Sequence, residues 1–371
     1  MLAKDFARYD RLSKRTDISD EELNYRMKSG DSLGNNKQAD INIDTSEISP
    51  EQSFLQIMMT LARLTTNKSF FNIPNFNFSK DLLERENASV TISATSVDDL
   101  VRQGVKLIHE NGERFQARAG DGIQSCNVTY TLEGSLNRLH KLRSTKSIKY
   151  FAREMIAYFK GSLKANEGLA QASPFWNTLA DENGEICSNY GYYVFHEKSE
   201  NNGGKNQFEW VIDNLMRSPD SRKAIININQ VKHKSNTKDF PCTLGMQFHI
   251  KNNKLCCEVS SRSTDVYTGL PYDMGFFSFV TELVHSYLQK HKYPKLELGH
   301  TSMKANFTQI YDKTSKSALE LMEDYSDKTE ENKDFDMPRI EDADMVLRDI
   351  DNCTYETDVM AWIQKYADLK N

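Results

Sequence analysis

Apolar residues recur at helical spacing in four stretches of this chain. Residues 97–110 place Val101, Val105 and Ile108 on one side, which predicts an amphipathic helix. Residues 148–160 (IKYFAREMIAYFK) predict a stronger one, closed by Gly161. Residues 207–216 predict a third, stopping ahead of Ser218-Pro219-Asp220. Residues 274–289 are apolar nearly all round, the pattern of a buried central helix. Alternating or apolar runs at 224–229, 243–250 and 254–260 predict strands. The region before residue 95 differs. Residues 17–52 are polar, 54–64 (FLQIMMTLARL) suit a short amphipathic helix, and 70–78 (FFNIPNFNF) form an aromatic segment broken by Pro74. Beyond Tyr325 an acidic run precedes an expected final strand-and-helix segment. The mixture predicts an α+β fold, with an N-terminal extension over 1–94 and a main domain over 95–371.

Charge and composition narrow the picture. The chain has 371 residues, with 47 Lys and Arg against 53 Asp and Glu, a formal net charge of -6. That gives no global basic field for a nucleic-acid backbone, though a few arginines could still hold one small phosphorylated ligand. No run approaches the roughly 20 apolar residues of a membrane span, and the first residues lack the apolar core of a secretion signal. The six cysteines, Cys126, Cys187, Cys242, Cys256, Cys257 and Cys353, make no CxxC pair. Irregular spacing in so long a chain argues for free thiols in a reducing, cytoplasmic compartment and for no metal site.

Two segments carry chemistry. Asp239-Phe240-Pro241-Cys242-Thr243 puts a cysteine between a turn and a strand, which alone suits a small buried hydrophobe as well as a nucleophile. Residues 261–273 (SRSTDVYTGLPYD) then crowd a cation, hydroxyls, carboxylates and a glycine turn between a strand and a buried helix. Pro-Cys before a strand, then Arg-Ser-x-Asp ahead of Gly-Leu-Pro-Tyr-Asp, resembles the signature of the thymidylate synthase superfamily, and within it the phage deoxycytidylate hydroxymethylases. Other landmarks follow in the family's order. They are Arg118-Ala119-Gly120, the helix segment 153–161 around Glu154, Trp176, residues 180–184 with Tyr190-Gly191, Pro219-Asp220-Ser221-Arg222-Lys223, and Tyr311.

The resemblance implies a homodimer with a thymidylate synthase-like fold, a mixed sheet at the interface, and 5,10-methylenetetrahydrofolate as one-carbon donor. It implies Cys242 as the nucleophile that adds to C6 of a pyrimidine nucleotide, and Glu154 as the acid and base. Substrate phosphate would fall to Arg118 and Arg262, with Arg222 and Lys223 reaching across from the partner. Ser263, Gln309 and Tyr311 would hold the rest of the nucleoside monophosphate. Asp265, Gly269, Trp176 and Tyr190 would face the folate, although Asp265 also suits a turn and the two aromatics also suit a core. The chemistry fits these residue types. Pyrimidine C5 is a weak nucleophile until a thiolate adds at C6, and Arg262 and Arg222 would supply a positive field to favour that thiolate.

The base is read at Asp273, where thymidylate synthases carry Asn. An amide matches uracil O4 and N3–H. A carboxyl can accept from cytosine N4 and, when protonated, donate to N3. A buried carboxylate would repel uracil O4. Asp273 also suits a helix N-cap. Thr243, Ser261, Gln309 and Leu179 depart from the family's usual His, Gln, His and Trp. The resemblance and an apolar lid missing from the final residues favour a hydroxymethyl product over a methyl one. The expected activity is a deoxycytidylate 5-hydroxymethyltransferase, typical of phages that modify cytosine and acting in host cytoplasm, without nucleic acid or membrane as partner. A deoxycytidylate or deoxyuridylate C5-methyltransferase and a catalytically silent nucleotide-binding protein stand as alternatives.

Overall fold

The computed structural model describes residues 89–117, 119–234, 237–323 and 335–368. All belong to a compact unit spanning 80–371. The expected helix at 54–64 and the aromatic segment at 70–78 lie outside the described residues, as does Arg118.

In chain order the elements are β1 (Val90–Ala94), α1 (Val97–Asn111), β2 (Glu113–Phe115), β3 (Gly122–Leu132), α2 (Ser144–Lys160), α3 (Phe175–Leu179), β4 (Lys198–Ser199) and β5 (Lys205–Asn206). Then follow α4 (Gln207–Arg217), β6 (Ile225–Asn227), β7 (Thr243–Lys251), β8 (Lys254–Asp265), α5 (Leu270–His291), β9 (Glu297–Tyr311), α6 (Asp312–Glu323), α7 (Ala343–Asn352) and α8 (Asp358–Ala367). The main sheet has the order β1-β3-β9-β8-β7-β6, with β2 on the side of β3. β1 and β3 are parallel, as are β8 and β9, and the other pairs are antiparallel. The fold is α+β with a mixed sheet, as the sequence pattern predicts, and β1 joins that sheet ahead of residue 95.

Local chemistry sets the element ends. Ser96 caps α1, its Oγ accepting from the Asp99 amide at 3.1 Å. Asn206 and Glu209 form a reciprocal capping box on α4. Gly161 ends α2 in the left-handed region at φ 63°, where a side chain would be strained. The helix read as starting at 274 starts earlier, at Leu270, with Pro in its first turn, and runs to His291.

The core lies between the sheet and α5, which buries Leu270, Phe276, Phe277, Phe279, Val280 and Leu283. α1 packs beside it through Leu100, Val101, Val105 and Ile108. Strand residues pointing the other way, among them Glu258, Ser260 and Lys304, are exposed. This alternation gives the sheet one apolar and one polar face.

The expected terminal strand is not there. Among the described residues the chain beyond 335 forms α7 and α8. Asp342 caps α7 through the Asp344 and Met345 amides. Asp349 ties the corner between the two helices, accepting from Thr354 Oγ1 at 2.6 Å, Thr357 Oγ1 at 2.8 Å and the amides of Glu356 and Thr357. Those hydroxyls serve a turn, so their strand propensity does not decide the outcome. α8 lies against α2, with Arg153 Nε donating to the Ala367 carbonyl at 2.9 Å.

One buried ion pair links three parts of the core. Arg138 Nη2 meets Glu282 Oε2, and Glu282 Oε1 accepts the Ile340 amide at 3.1 Å. Arg138 and Glu282 are only 3% and 4% exposed, so either charge left alone would be desolvated without compensation. Replacing Glu282 by Gln is expected to cost about 3–5 kcal/mol, read by urea unfolding. The paired change Arg138→Met with Glu282→Leu is expected to recover most of that. A single change costing less than the double one would show that the pair does not hold this corner.

Candidate active site

Cys242 ends a loop whose shape is fixed from three directions. Behind it, the buried Asp239 carboxylate accepts from the Cys187 amide at 2.7 Å and from the Ser188 amide and hydroxyl at 2.8 and 2.6 Å. From β8, Arg262 donates through Nη2 to the Phe240 carbonyl at 2.7 Å and through Nε to the Pro241 carbonyl at 3.2 Å. The Arg262 amide and the Ser261 hydroxyl both donate to the Cys242 carbonyl, at 2.9 and 3.1 Å. A bulge between Thr243 and Gly245 breaks the β7–β8 register directly after the cysteine. Ser261, in place of the family's Gln, thus takes over part of holding the nucleophile loop.

Two carboxyl groups share the cleft with the thiol. Glu154 is 5% exposed on α2, and Tyr150 Oη donates to its Oε1 at 2.8 Å. Burial raises its pKa to about 8, the Tyr150 hydrogen bond opposing and the charge of Asp273 adding to the rise. Asp273 stands one turn into α5, where Gly269 is the cap residue. Its amide donates to the Gly269 carbonyl within the helix, and its side chain caps nothing, which removes the N-cap reading. Burial alone raises Asp273 to about 7.

Cys242 does not follow the expected activation. Burial pushes its thiol up to about 11, the Arg262 charge pulling back and Asp273 and Asp239 pushing further. Loss of water around the sulfur is the largest influence and outweighs the nearby guanidinium, and the two acid charges add to it.

The remaining predicted residues divide. Ser263 and Gln309 meet across β8 and β9, with Gln309 Nε2 donating to Ser263 Oγ at 3.1 Å. Tyr311, half-buried at the end of β9, packs edge-on against Phe115 with ring centres 5.7 Å apart. Asp265 spends Oδ1 on the Tyr267 and Thr268 amides, both at 2.8 Å. The turn role is therefore real, and the Thr268 side chain adds a further hydrogen bond to the same carboxyl. Gly269 folds back on that turn so closely that an added Cβ would sit 3.1 Å from the Asp265 carbonyl. Tyr190 is buried between Tyr158 and Phe277, stacked at 5.7 and 6.0 Å. The next residue, Gly191, lies where a Cβ would fall 2.0 Å from the Tyr158 carbonyl, so glycine is what lets this segment reach α2. Trp176 is half-buried on α3 beside the exposed Phe175. Arg222 and Lys223 are exposed on the turn before the edge strand β6, where their carbonyls accept from Gln247 Nε2 and Trp210 Nε1.

Three neighbours of the site escaped sequence reasoning. Tyr150 and Tyr158 flank Glu154 at i−4 and i+4 on one helix face, a spacing that the helical pattern of 148–160 already contains. Asp239 carried no such signal, because its partners lie some fifty residues earlier. Among the described residues no group of three or more His, Cys, Asp or Glu could hold a metal ion, and no helix is long and apolar enough to cross a membrane. All six cysteines are free.

The high thiol pKa has a direct consequence. In protein without nucleotide, alkylation of Cys242 by iodoacetamide is expected to be slow at pH 7 and to rise about tenfold per pH unit towards pH 10. Peptide mass spectrometry separates Cys242 from the exposed Cys126 and Cys353. A rate that levels off below pH 9 would mean that the cation outweighs burial.

The thymidylate synthase family model matches residues 101–358, which spans α1 to the start of α8 and includes Glu154, Cys242, Arg262 and Asp273. The family performs folate-dependent transfer of a one-carbon unit to C5 of a pyrimidine nucleotide, and this chain, with a thiol and two raised carboxyls in one cleft, belongs to the thymidylate synthase family.

Proposed function

We propose that this chain is a homodimeric deoxycytidylate 5-hydroxymethyltransferase, using 5,10-methylenetetrahydrofolate. The observation that carries the base assignment is Asp273. Its carboxyl does no capping, faces the cleft with Cys242 and Glu154, and is half-protonated near pH 7. Such a group can accept from cytosine N4 and donate to N3, which a permanently charged carboxylate cannot do.

The chain's own groups then act in order. Arg262 keeps Nη1 for the substrate phosphate while Nε and Nη2 hold the nucleophile loop, so anion binding and thiol position are joined through one guanidinium. Cys242 Sγ adds to C6 of the ring, and Asp273 holds the N3–C4 edge as electron density moves towards C5. The folate, when bound, supplies a carbon at the oxidation level of formaldehyde. Its fit rests on the Asp265 carboxyl and the aromatic pair Phe175 and Trp176, an acceptor for pterin N–H groups and a flat apolar surface. Glu154, as a carboxylate, would take the C5 proton and give it up to the amine nitrogen of the departing tetrahydrofolate, and would then take a proton from the water whose oxygen bonds to the transferred carbon. That route needs no hydride, whereas methylation would oxidise the folate. Loss of Sγ from C6 restores the aromatic ring.

The exposed placement of Arg222 and Lys223 supports delivery to a second copy, with the polar sheet face as the meeting surface. Lys223, a point charge where the family usually has Arg, would hold phosphate with less directional fixing.

The test is mass spectrometry of products from the enzyme with methylenetetrahydrofolate and a mixture of dCMP, CMP and dUMP. A hydroxymethyl group on dCMP is expected, lost on Cys242→Ala. Asp273→Asn is expected to shift kcat/KM towards dUMP by about a hundredfold or more. Modification of dUMP by the wild type would sink the base assignment, and binding without any product would favour the silent nucleotide-binding reading. The pH profile has a sign. Asp273 has a raised pKa, so its neutral form prevails below about 7, and kcat/KM for dCMP is expected to fall as pH rises through that value.

A further inference from the structure

Glu154 does not stand alone on its helix. Tyr150, one turn earlier on the same face, donates from Oη to Glu154 Oε1 at 2.8 Å. Trp176, on α3 at the folate side, donates from Nε1 to Tyr150 Oη at 3.4 Å. The Tyr150 ring is fixed against Tyr272, with centres 4.5 Å apart and planes at 57°. Tyr272 is itself held by a contact of its hydroxyl with Ser147 Oγ at 3.1 Å. We propose that Tyr150 is a positioning residue for Glu154, and that Trp176, Tyr150 and Glu154 form one polarised line from the folate side of the cleft to the carboxyl that moves the proton.

The direction of that line is fixed by chemistry. An indole N–H can only donate. It therefore engages an Oη lone pair, and the single phenolic proton is left for Glu154. Oε1 is an acceptor in either protonation state, so the acidic proton of neutral Glu154 sits on Oε2. Oε1 is thereby held by Tyr150 and Oε2 carries the mobile proton, with the Tyr158 hydroxyl also in hydrogen-bond reach of the carboxyl. Hydrogen bonds in series strengthen one another. A flat ring seated on Trp176 that tightens its bond to Oη would strengthen the phenol's donation and favour the carboxylate. The base needed for water would then be readied by the arrival of the folate.

Other groups face Glu154 too. Tyr158 on its own helix favours the carboxylate, Asp273 on α5 opposes it, and Tyr272 lies beside it. Tyr150 differs from these in joining the carboxyl to the second substrate's side. The phenol stays protonated throughout the working range, its pKa held well above the ordinary value by burial.

This inference rests on the proton-transfer role given to Glu154 above, and its test is independent of turnover. Infrared difference titration of the protein alone would follow the protonated carboxyl band that Glu154→Gln removes. In Tyr150→Phe that band is expected to persist about one pH unit higher than in wild type, and in Trp176→Phe to shift the same way by less. Near-ultraviolet circular dichroism would establish that Tyr150→Phe keeps its fold, and Tyr158→Phe supplies a second phenol variant that should leave the Trp176 effect intact. An unmoved Glu154 titration in Tyr150→Phe would overturn the proposal. With the nucleotide that is turned over, the alkaline shift should reappear in the pH profile of kcat with little change in KM for the nucleotide. Absence of turnover on every nucleotide would instead defeat the functional reading, while the infrared result still decides the role of Tyr150.

Discussion

Desolvation governs this site. A thiol and two carboxyls lie within one cleft walled by α2, α5 and the loop before β7, and burial is the largest influence on all three. In water each would be charged or neutral according to its ordinary pKa. Here all three are pushed towards the neutral form, so near pH 7 the cleft stores protons. That suits one-carbon transfer to C5 of a pyrimidine nucleotide, in which a proton must leave C5. A cleft of fixed negative charges would repel the phosphate and the electron-rich ring alike.

Storing protons in an apolar cleft requires a rigid frame, because a carboxyl that could swing into water would recover its ordinary pKa. The frame is built from few contacts. Arg262 and Ser261 clamp the backbone on either side of Cys242, and Asp239 locks the same loop to Cys187 and Ser188. Asp239 accepts three hydrogen bonds there, which makes it a structural acid rather than a reacting one. The two roles of buried acids in this protein separate on that count. Asp239 and Glu282 spend both oxygens on structural donors, whereas Glu154 meets only the phenols of its own helix and Asp273 has no cap to serve.

The sequence pattern made the helices and the site motif legible for different reasons. α1 and α4 show one apolar side and capped starts, and α2 an apolar side closed by Gly161, so their positions follow largely from local physics. The Cys242 and Arg262 segments were recognisable through an ordered set of motifs. The expected terminal strand gives way to α7 and α8, whose corner Asp349 organises through Thr354 and Thr357. The lowered thiol pKa also failed. A sequence shows that an arginine is near in the motif, but not how much water the fold removes from the sulfur or that Asp239 and Asp273 both face it. Tyr150 was legible in principle, since i−4 spacing on an amphipathic helix is a local property. Its partner Trp176 was not, being joined only by the fold.

The start of α5 decides what the Asp273 carboxyl is free to do. Had α5 begun at residue 274, the carboxyl would have turned back to cap the first amides, as an N-cap aspartate does. Pro271 and the tight return of Gly269 onto Asp265 start the helix a turn sooner. Asp273 then lies inside the first turn, with its own amide already bonded to Gly269 and its side chain directed away from the helix end. The backbone has no further use for the carboxyl, and the cleft sets its proton affinity. An exchange between amide and acid at this position would leave the helix undisturbed, because the geometry that frees the side chain is set by Gly269 and Pro271 and not by residue 273 itself.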